Sequence, residues 1–275
     1  MDFIQRAIDK ARDQREEHHD GNRGENHRNN FAHAEIKTGA QRHMRSTSAE
    51  KIAYTQTRSL KPRADLLQNN RIIAGIEQDK RAECYRQLRT QILRKLRENQ
   101  WRTLAVTSPN SHAGKTLTAL NLAISLSMEV NQTVMLVDLD LRNPTVLEKL
   151  GIEAEFGLID YLEGKAELKD VLINPGYERL VILPNLPGTA HRSELLSSPQ
   201  MAELLRDIIN RYESRIIIFD LPAMLDDDDA QVFAPYADAT LLVVEDGVSK
   251  RSDIERSLQL LHGTPILGTV LNKAR

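Results

Sequence analysis

Short apolar runs of strand length recur through the last three quarters of the chain and alternate with stretches of helical periodicity. TLAVTS (103–108), TVMLV (133–137), RLVILPNL (179–186), RIIIF (215–219), ATLLVV (239–244) and ILGTVLN (266–272) are the runs. Near-continuous rather than alternating hydrophobicity, clearest in Thr133 to Val137, predicts parallel strands buried on both faces. Between them, LTALNLAISLSMEV (117–130), the stretch from Leu147 to Ile173, SSPQMAELLRDIINRYE (197–213) and KRSDIERSLQLLH (250–262) read as helical. Ser198 is the expected N-cap of the third of these and Pro199 its first residue. Strand and helix in alternation predict a doubly wound, mainly parallel α/β sheet over residues 70–275.

The first quarter has a different pattern. Within residues 1–17, Phe3, Ile4, Ala7, Ile8 and Ala11 draw a narrow apolar stripe on a short helix, read either as a docking helix or as one that packs on its own domain. Residues 18–69 are rich in His, Asn, Arg, Gln and Ser, with too little apolar surface to order themselves, and are expected to be a largely disordered linker. Histidines at 18, 19, 27, 33 and 43 lie there at irregular spacing without cysteines, which favours solvated side chains over a metal site. Arg81 to Asn99 is helical in pattern: Leu88, Ile92, Leu93 and Leu96 form the apolar side, and Glu83, Arg86 and Arg89 lie on other faces. That charged set is either a solvated face or a contact with the same helix of a neighbour, where arginine pairs two-pronged with carboxylate.

Composition narrows the classes. A formal net charge of −2 gives no global field toward nucleic acid or an anionic membrane. One cysteine, Cys84, rules out an internal disulfide and fits a reducing cytoplasm; its own reading is a small buried apolar residue. The apolar runs fall short of the roughly 20 residues a membrane span needs, and the N-terminus has no apolar signal-peptide core. The expectation is a cytoplasmic protein that reaches a membrane only through a partner.

The chemistry is concentrated in SPNSHAGKT, Ser108 to Thr116, set between a strand and a helix. A loop so placed aims the first free N–H groups of the helix at a phosphate, with Gly114 giving backbone donors, Lys115 a point charge and Thr116 a hydroxyl for magnesium. The P-loop pattern is met except at its first glycine, where Pro109 stands, and the tripeptide alone would equally suit an ordinary strand-to-helix turn. Two further strands end on aspartates, VDLDLR at Asp138 and Asp140 and FDLP at Asp220, at the carboxyl rim where ligands bind in open α/β sheets. Together these residues form the set that phosphoryl transfer requires: cationic clamps, a held metal and a positioned nucleophile.

The arrangement resembles the bacterial tyrosine kinases of the polysaccharide co-polymerase system, P-loop proteins of the deviant-Walker class. The resemblance covers residues 70–275 and extends beyond the nucleotide motifs. Glu83, Arg86 and Arg89 match the family's E-x-x-R-x-x-R oligomerisation motif, VDLDLRNPT its Walker A′ segment, and DLPAML with Asp229 and Ala230 its Walker B segment; FGLIDYLEGK, SELLSSPQM and VLNK are also similar. It implies ATP and Mg2+ as ligands. Ser111, His112, Ala113, Gly114, Lys115, Thr116, Leu117 and Asn272 would bind the nucleotide, with Asn272 at the base. Thr116, Asp138 and Asp220 would serve the metal, and Lys115, Asp138 and Asp140 the chemistry, the two aspartates accepting the tyrosine proton. It also implies an inner-membrane chain-length-determinant protein as partner and ring-shaped homo-oligomers that phosphorylate one another. The N-terminal helix ahead of a polar linker suggests the branch encoded with exosortase loci.

Two departures from the family stand out. Ser111 and His112 occupy positions where its P-loop usually carries Pro-Gly, which removes a residue free to adopt positive φ; nucleotide then binds less tightly, or His112 itself reaches a phosphate. The chain stops at LNKAR without the family's tyrosine-rich tail, and its six tyrosines, 54, 85, 161, 177, 212 and 236, are scattered. Tyr54 is the most accessible-looking acceptor, and Tyr85 reads as packing. Two other functions are open on sequence: a non-kinase ATPase switch, whose usual extra P-loop lysine has no counterpart in Pro109 to Ala113, and a scaffold with degenerate catalysis.

Overall fold

The computed structural model describes residues 57–76, 78–187, 193–212 and 214–274. The expected N-terminal helix at 1–17, the linker up to residue 56 and Tyr54 lie outside the described residues.

Eight strands form one sheet: β1 (Arg58–Ser59), β2 (Thr103–Thr107), β3 (Thr133–Asp138), β4 (Ile173–Asn174), β5 (Leu180–Leu183), β6 (Arg215–Asp220), β7 (Ala239–Glu245) and β8 (Ile266–Asn272). The helices are α1 (Ala64–Asn69), α2 (Glu83–Asn99), α3 (Lys115–Ser127), α4 (Val146–Leu150) and α5 (Leu158–Leu162). They continue with α6 (Leu168–Val171), α7 (Ser193–Leu196), α8 (Pro199–Asn210), α9 (Asp229–Phe233) and α10 (Arg251–Leu260). Strand order is β1-β4-β5-β3-β6-β2-β7-β8, parallel throughout except for the antiparallel β4–β5 pair. One apolar core lies under α2, α3 and α4, and a second under α5 and α8 on the opposite face. Both faces of β2, β3 and β6 are therefore covered, which is why their sequences read as unbroken apolar runs.

The order of strands positions the site. The loop after β2 rises near the middle of the carboxyl rim, with β6 and then β3 on one side and β7 and then β8 on the other. β3 and β6 pair in register from Thr133↔Arg215 to Asp138↔Asp220, so their terminal carboxylates stand side by side. Ser198 caps α8 as expected, its side chain accepting from the Met201 N–H, with Pro199 as the first helical residue.

Three expectations are corrected. The expected linker ran to residue 69, yet β1 pairs with β4 and α1 packs beside α4, with Leu60 and Leu67 against the core. The stretch expected to be helical up to Ile173 ends in a strand, β4, held by Asn174, whose amide donates to the Tyr177 and Leu180 carbonyls at 3.0 Å. Cys84 is exposed rather than buried: on α2 the inward stripe is Ile92, Leu93 and Leu96, and the thiol turns outward to donate to the Arg81 carbonyl at 2.9 Å.

The segment before α2 is held by a buried amide in α3. Asn121 Oδ1 accepts the N–H groups of Ile73 and Ala74 at 2.8 and 3.0 Å, and its Nδ2 donates to the carbonyls of Arg71 and Leu117 at 3.1 and 3.0 Å. Asn121→Ala would leave two buried backbone donors unpaired, with an expected loss of about 2–4 kcal/mol on urea unfolding. A loss under about 1 kcal/mol would show that water replaces the amide.

Candidate functional site

The loop from Ser108 to Gly114 is fixed on both sides before any ligand is considered. On the β6 side, the Met224 and Leu225 N–H groups donate to the carbonyls of Ser108 and Pro109 at 2.8 and 3.1 Å, and the Ser111 hydroxyl donates to Asp226. On the β8 side, Asn272 Nδ2 donates to the Ala113 carbonyl at 2.8 Å, and Asn110 Nδ2 donates to Asp253 at 3.0 Å. Gly114 has φ +96°, a conformation that favours glycine, and a Cβ there would run into the Asn272 amide. Asn272, expected at the base, holds the loop itself through the Ala113 carbonyl.

His112 adopts φ +65°, the left-handed conformation. The loop keeps the turn that a glycine would make freely, and a histidine backbone carries the strain of about 1–2 kcal/mol. His112→Gly is expected to raise the stability of the nucleotide-free protein by about 0.5–1 kcal/mol, the strain relieved less the extra chain entropy of glycine. Chemical denaturation checks this, and a destabilised variant would mean that the imidazole contributes packing worth more than the strain.

At the start of α3, Lys115 Nζ lies 2.5 Å from Asp140 Oδ2 and 3.4 Å from the Thr116 hydroxyl. Burial is the largest influence on this ammonium and pulls its pKa down, but Asp220, Asp140 and Asp138 together outweigh it and hold the group above its usual value. Asp138 is fully buried; its Oδ1 accepts the Asp140 N–H at 3.2 Å and its Oδ2 the Val146 N–H at 3.3 Å. Burial, then Asp220 and Asp140, push its pKa well above the carboxylate range. Asp220 is also fully buried, and neither of its oxygens has a hydrogen-bond partner among the described residues. Burial pushes its pKa up to about 6 against the opposing pull of Lys115 and the nearby Thr116 hydroxyl.

A second acidic pair flanks the site. Arg142 lies 3.2 Å from Asp227 and 4.0 Å from Asp229, tying the loop after β3 to the loop after β6. Burial, then Asp229, raise the Asp227 pKa.

Above Lys115 and Thr116 opens a cavity of about 510 Å3. Ser111, His112, Gly114, Lys115, Thr116, Leu117 and Asp140 line it, so most of the residues expected at the nucleotide meet on one wall. Asn143, Thr145 and Lys273, which lie in the family-like segments VDLDLRNPT and VLNK but have no role of their own in the sequence reading, line the rest together with Lys149, which no motif singled out. The only signal for Lys149 was its four-residue spacing from Thr145, one turn of α4.

The residues fit a hard divalent cation bound together with a phosphate ligand. Asp138 and Asp220 stand side by side close to the Thr116 hydroxyl, both buried and neither lining the cavity, and Asp220 has no hydrogen-bond partner among the described residues. No group of three or more His, Cys, Asp or Glu among the described residues could hold a metal on protein ligands alone. Magnesium is bound in this way, through one or two carboxylates, water and substrate phosphates.

Glu83, Arg86 and Arg89 do not act alike. Arg86 pairs with Glu83 within α2 at 2.8 Å, and both are accessible. Arg89 turns into the fold, 3.1 Å from Glu129 and 3.1 Å from the Ser125 carbonyl, joining α2 to α3. Tyr85 is mostly buried and its phenol pKa is pushed up to about 12, chiefly by burial, as a packing residue.

No protein-family model matches the chain. Among curated proteins it is 30% identical to the tyrosine-protein kinase YwqD of Bacillus subtilis, over 77% of this chain and 89% of that protein. It is 31% identical to the succinoglycan biosynthesis transport protein ExoP of Rhizobium meliloti, over 74% of this chain but only 26% of that longer protein. Among solved structures, the kinase domain of the Escherichia coli tyrosine kinase ETK superposes with a TM-score of 0.68 at 26% identity, covering 79% of this chain and 91% of that one.

Proposed function

This chain belongs to the bacterial tyrosine-protein kinase family, and from that premise we propose that it is a magnesium-ATP-dependent protein-tyrosine kinase acting in exopolysaccharide assembly or export. The observation that carries the reading is the ion pair of Lys115 with Asp140 beside Thr116 on the wall of one cavity, with the fully buried carboxylate of Asp220 in the field of the same lysine. Backbone N–H groups at Gly114 to Thr116 cradle the phosphates, and Lys115 leaves Asp140 for the phosphate oxygens when nucleotide enters. Thr116, Asp138 and Asp220 would hold Mg2+, which when bound neutralises charge on the phosphates. Asp140, released from Lys115, takes the proton of the incoming tyrosine hydroxyl. That oxygen bonds to the γ-phosphorus as the bond from phosphorus to the bridging oxygen breaks, and ADP departs with the electron pair. Asp138 is better suited to holding the loop than to accepting this proton, because both its oxygens already take backbone N–H groups.

No helix among the described residues is long and apolar enough to cross a membrane. The membrane connection is assigned to an inner-membrane polysaccharide co-polymerase partner, a reading supported by the likeness to one quarter of ExoP. Assembly into a ring uses Glu83 and Arg86, whereas Arg89 braces the helix from within. Tyr54 is the acceptor assigned. Incubation with γ-labelled ATP, with and without the partner's cytoplasmic tail, followed by mapping of phosphotyrosine, tests the proposal. Absence of phosphotyrosine on both proteins refutes it.

A further inference from the structure

Three lysines line the cavity, and two of them already have a counter-ion. Lys115 meets Asp140 at 2.5 Å and Lys273 meets Glu245 at 2.9 Å. Lys149 is half-buried and, among the described residues, has no carboxylate within 4.0 Å. An ammonium on a cavity wall with no carboxylate beside it among the described residues is suited to an anion that enters the cavity.

Its place in the fold says which part of the anion. Lys149 lies one turn beyond Thr145 in α4, the helix that leaves the loop of Asp138 and Asp140, and so belongs to the β3 side of the P-loop. Lys273 follows β8, on the other side. A nucleotide whose terminal phosphate lies toward Asp140 would bring that phosphate to Lys149 and leave its base toward β8.

We infer that Lys149 is a second cationic clamp on the terminal phosphoryl group, supplied by the chain's own α4. The inference rests on the nucleotide reading above and adds to it a residue that separates triphosphate from diphosphate. A contact to the terminal phosphoryl group also orients it for in-line transfer, so the same residue would contribute to turnover as well as to binding.

Calorimetric titration of the full chain with Mg-ADP and with the non-hydrolysable Mg-AMP-PNP, on the wild type and on Lys149→Ala, Lys149→Gln and Lys149→Arg, tests this. Loss of a charge-assisted contact should weaken AMP-PNP binding by about tenfold to a hundredfold in the alanine and glutamine variants. Binding of ADP should change by less than about twofold, and arginine should restore most of the loss. Equal weakening of both nucleotides, or none of either, while the wild type binds both, overturns this inference alone. A wild type that binds neither overturns the nucleotide reading and the Lys149 clamp with it.

Discussion

Lys115→Ala is expected to lower phosphotyrosine formation by at least about a hundredfold to a thousandfold, the range for loss of one preorganised charge at a phosphoryl centre. The same substitution should destabilise the nucleotide-free protein. The side chains of Lys115 and Asp140 are only 12% and 9% exposed, and Asp220 and Asp138 lie in the field of the same ammonium. Removing the cation leaves buried carboxylates facing one another, at a cost of about 2–4 kcal/mol near pH 7.5. The cost should shrink on acidification, because Asp138 and Asp220 already have raised pKa values and take up protons readily. Unfolding at pH 7.5 and pH 5.5 measures this, and the double variant Lys115→Ala with Asp140→Asn should recover part of the loss. Turnover within tenfold of wild type would show that Lys115 is no phosphate clamp.

Asp220→Asn should have opposite effects on stability and function. Burial holds the Asp220 carboxyl at about 6, above the ordinary carboxylate range, so between that range and pH 6 the folded protein keeps a proton that the unfolded chain has lost. Wild-type stability therefore falls as pH rises through that window, and the full cost, about 3 kcal/mol, is present above pH 6. An uncharged amide of the same shape removes it. The variant should be more stable than wild type by about 1–3 kcal/mol at pH 7.5 and no more stable near pH 4, while losing the effect of Mg2+ on nucleotide affinity. A variant less stable at pH 7.5, or one that still responds to Mg2+, contradicts the assignment. A charge kept buried at the expense of stability is a frequent sign of a site selected for binding rather than for folding.

Much of this was legible in the chain, for a physical reason. β3 and β6 announce themselves because burial on both faces requires unbroken apolar residues, and their closing aspartates break the run at the carboxyl rim of the sheet, buried though they are. Ser198 and Pro199 are legible because capping is local chemistry. β1 and β4 are not: two residues have no period, and both are strands only because distant segments supply their partners. Cys84 was misread because a residue type carries a burial tendency, whereas its position on α2 sets its direction. Of the site, Lys115, Asp138 and Asp220 could be named in advance because each lies where an element begins or ends, and Asp140 because it follows two residues past the end of β3. Lys149 could not, since its bearing on the cavity depends on how α4 is rotated against the sheet.

The in-register pairing of β3 with β6 makes the distance between two acidic groups a property of the hydrocarbon below them. Sliding either strand by a single position would turn its aspartate toward the opposite layer and bring an apolar residue to the rim. Inactivating changes should therefore also arise at Val137, Ile218 and Phe219, which touch no ligand and hold the ruler against which the acidic pair is spaced.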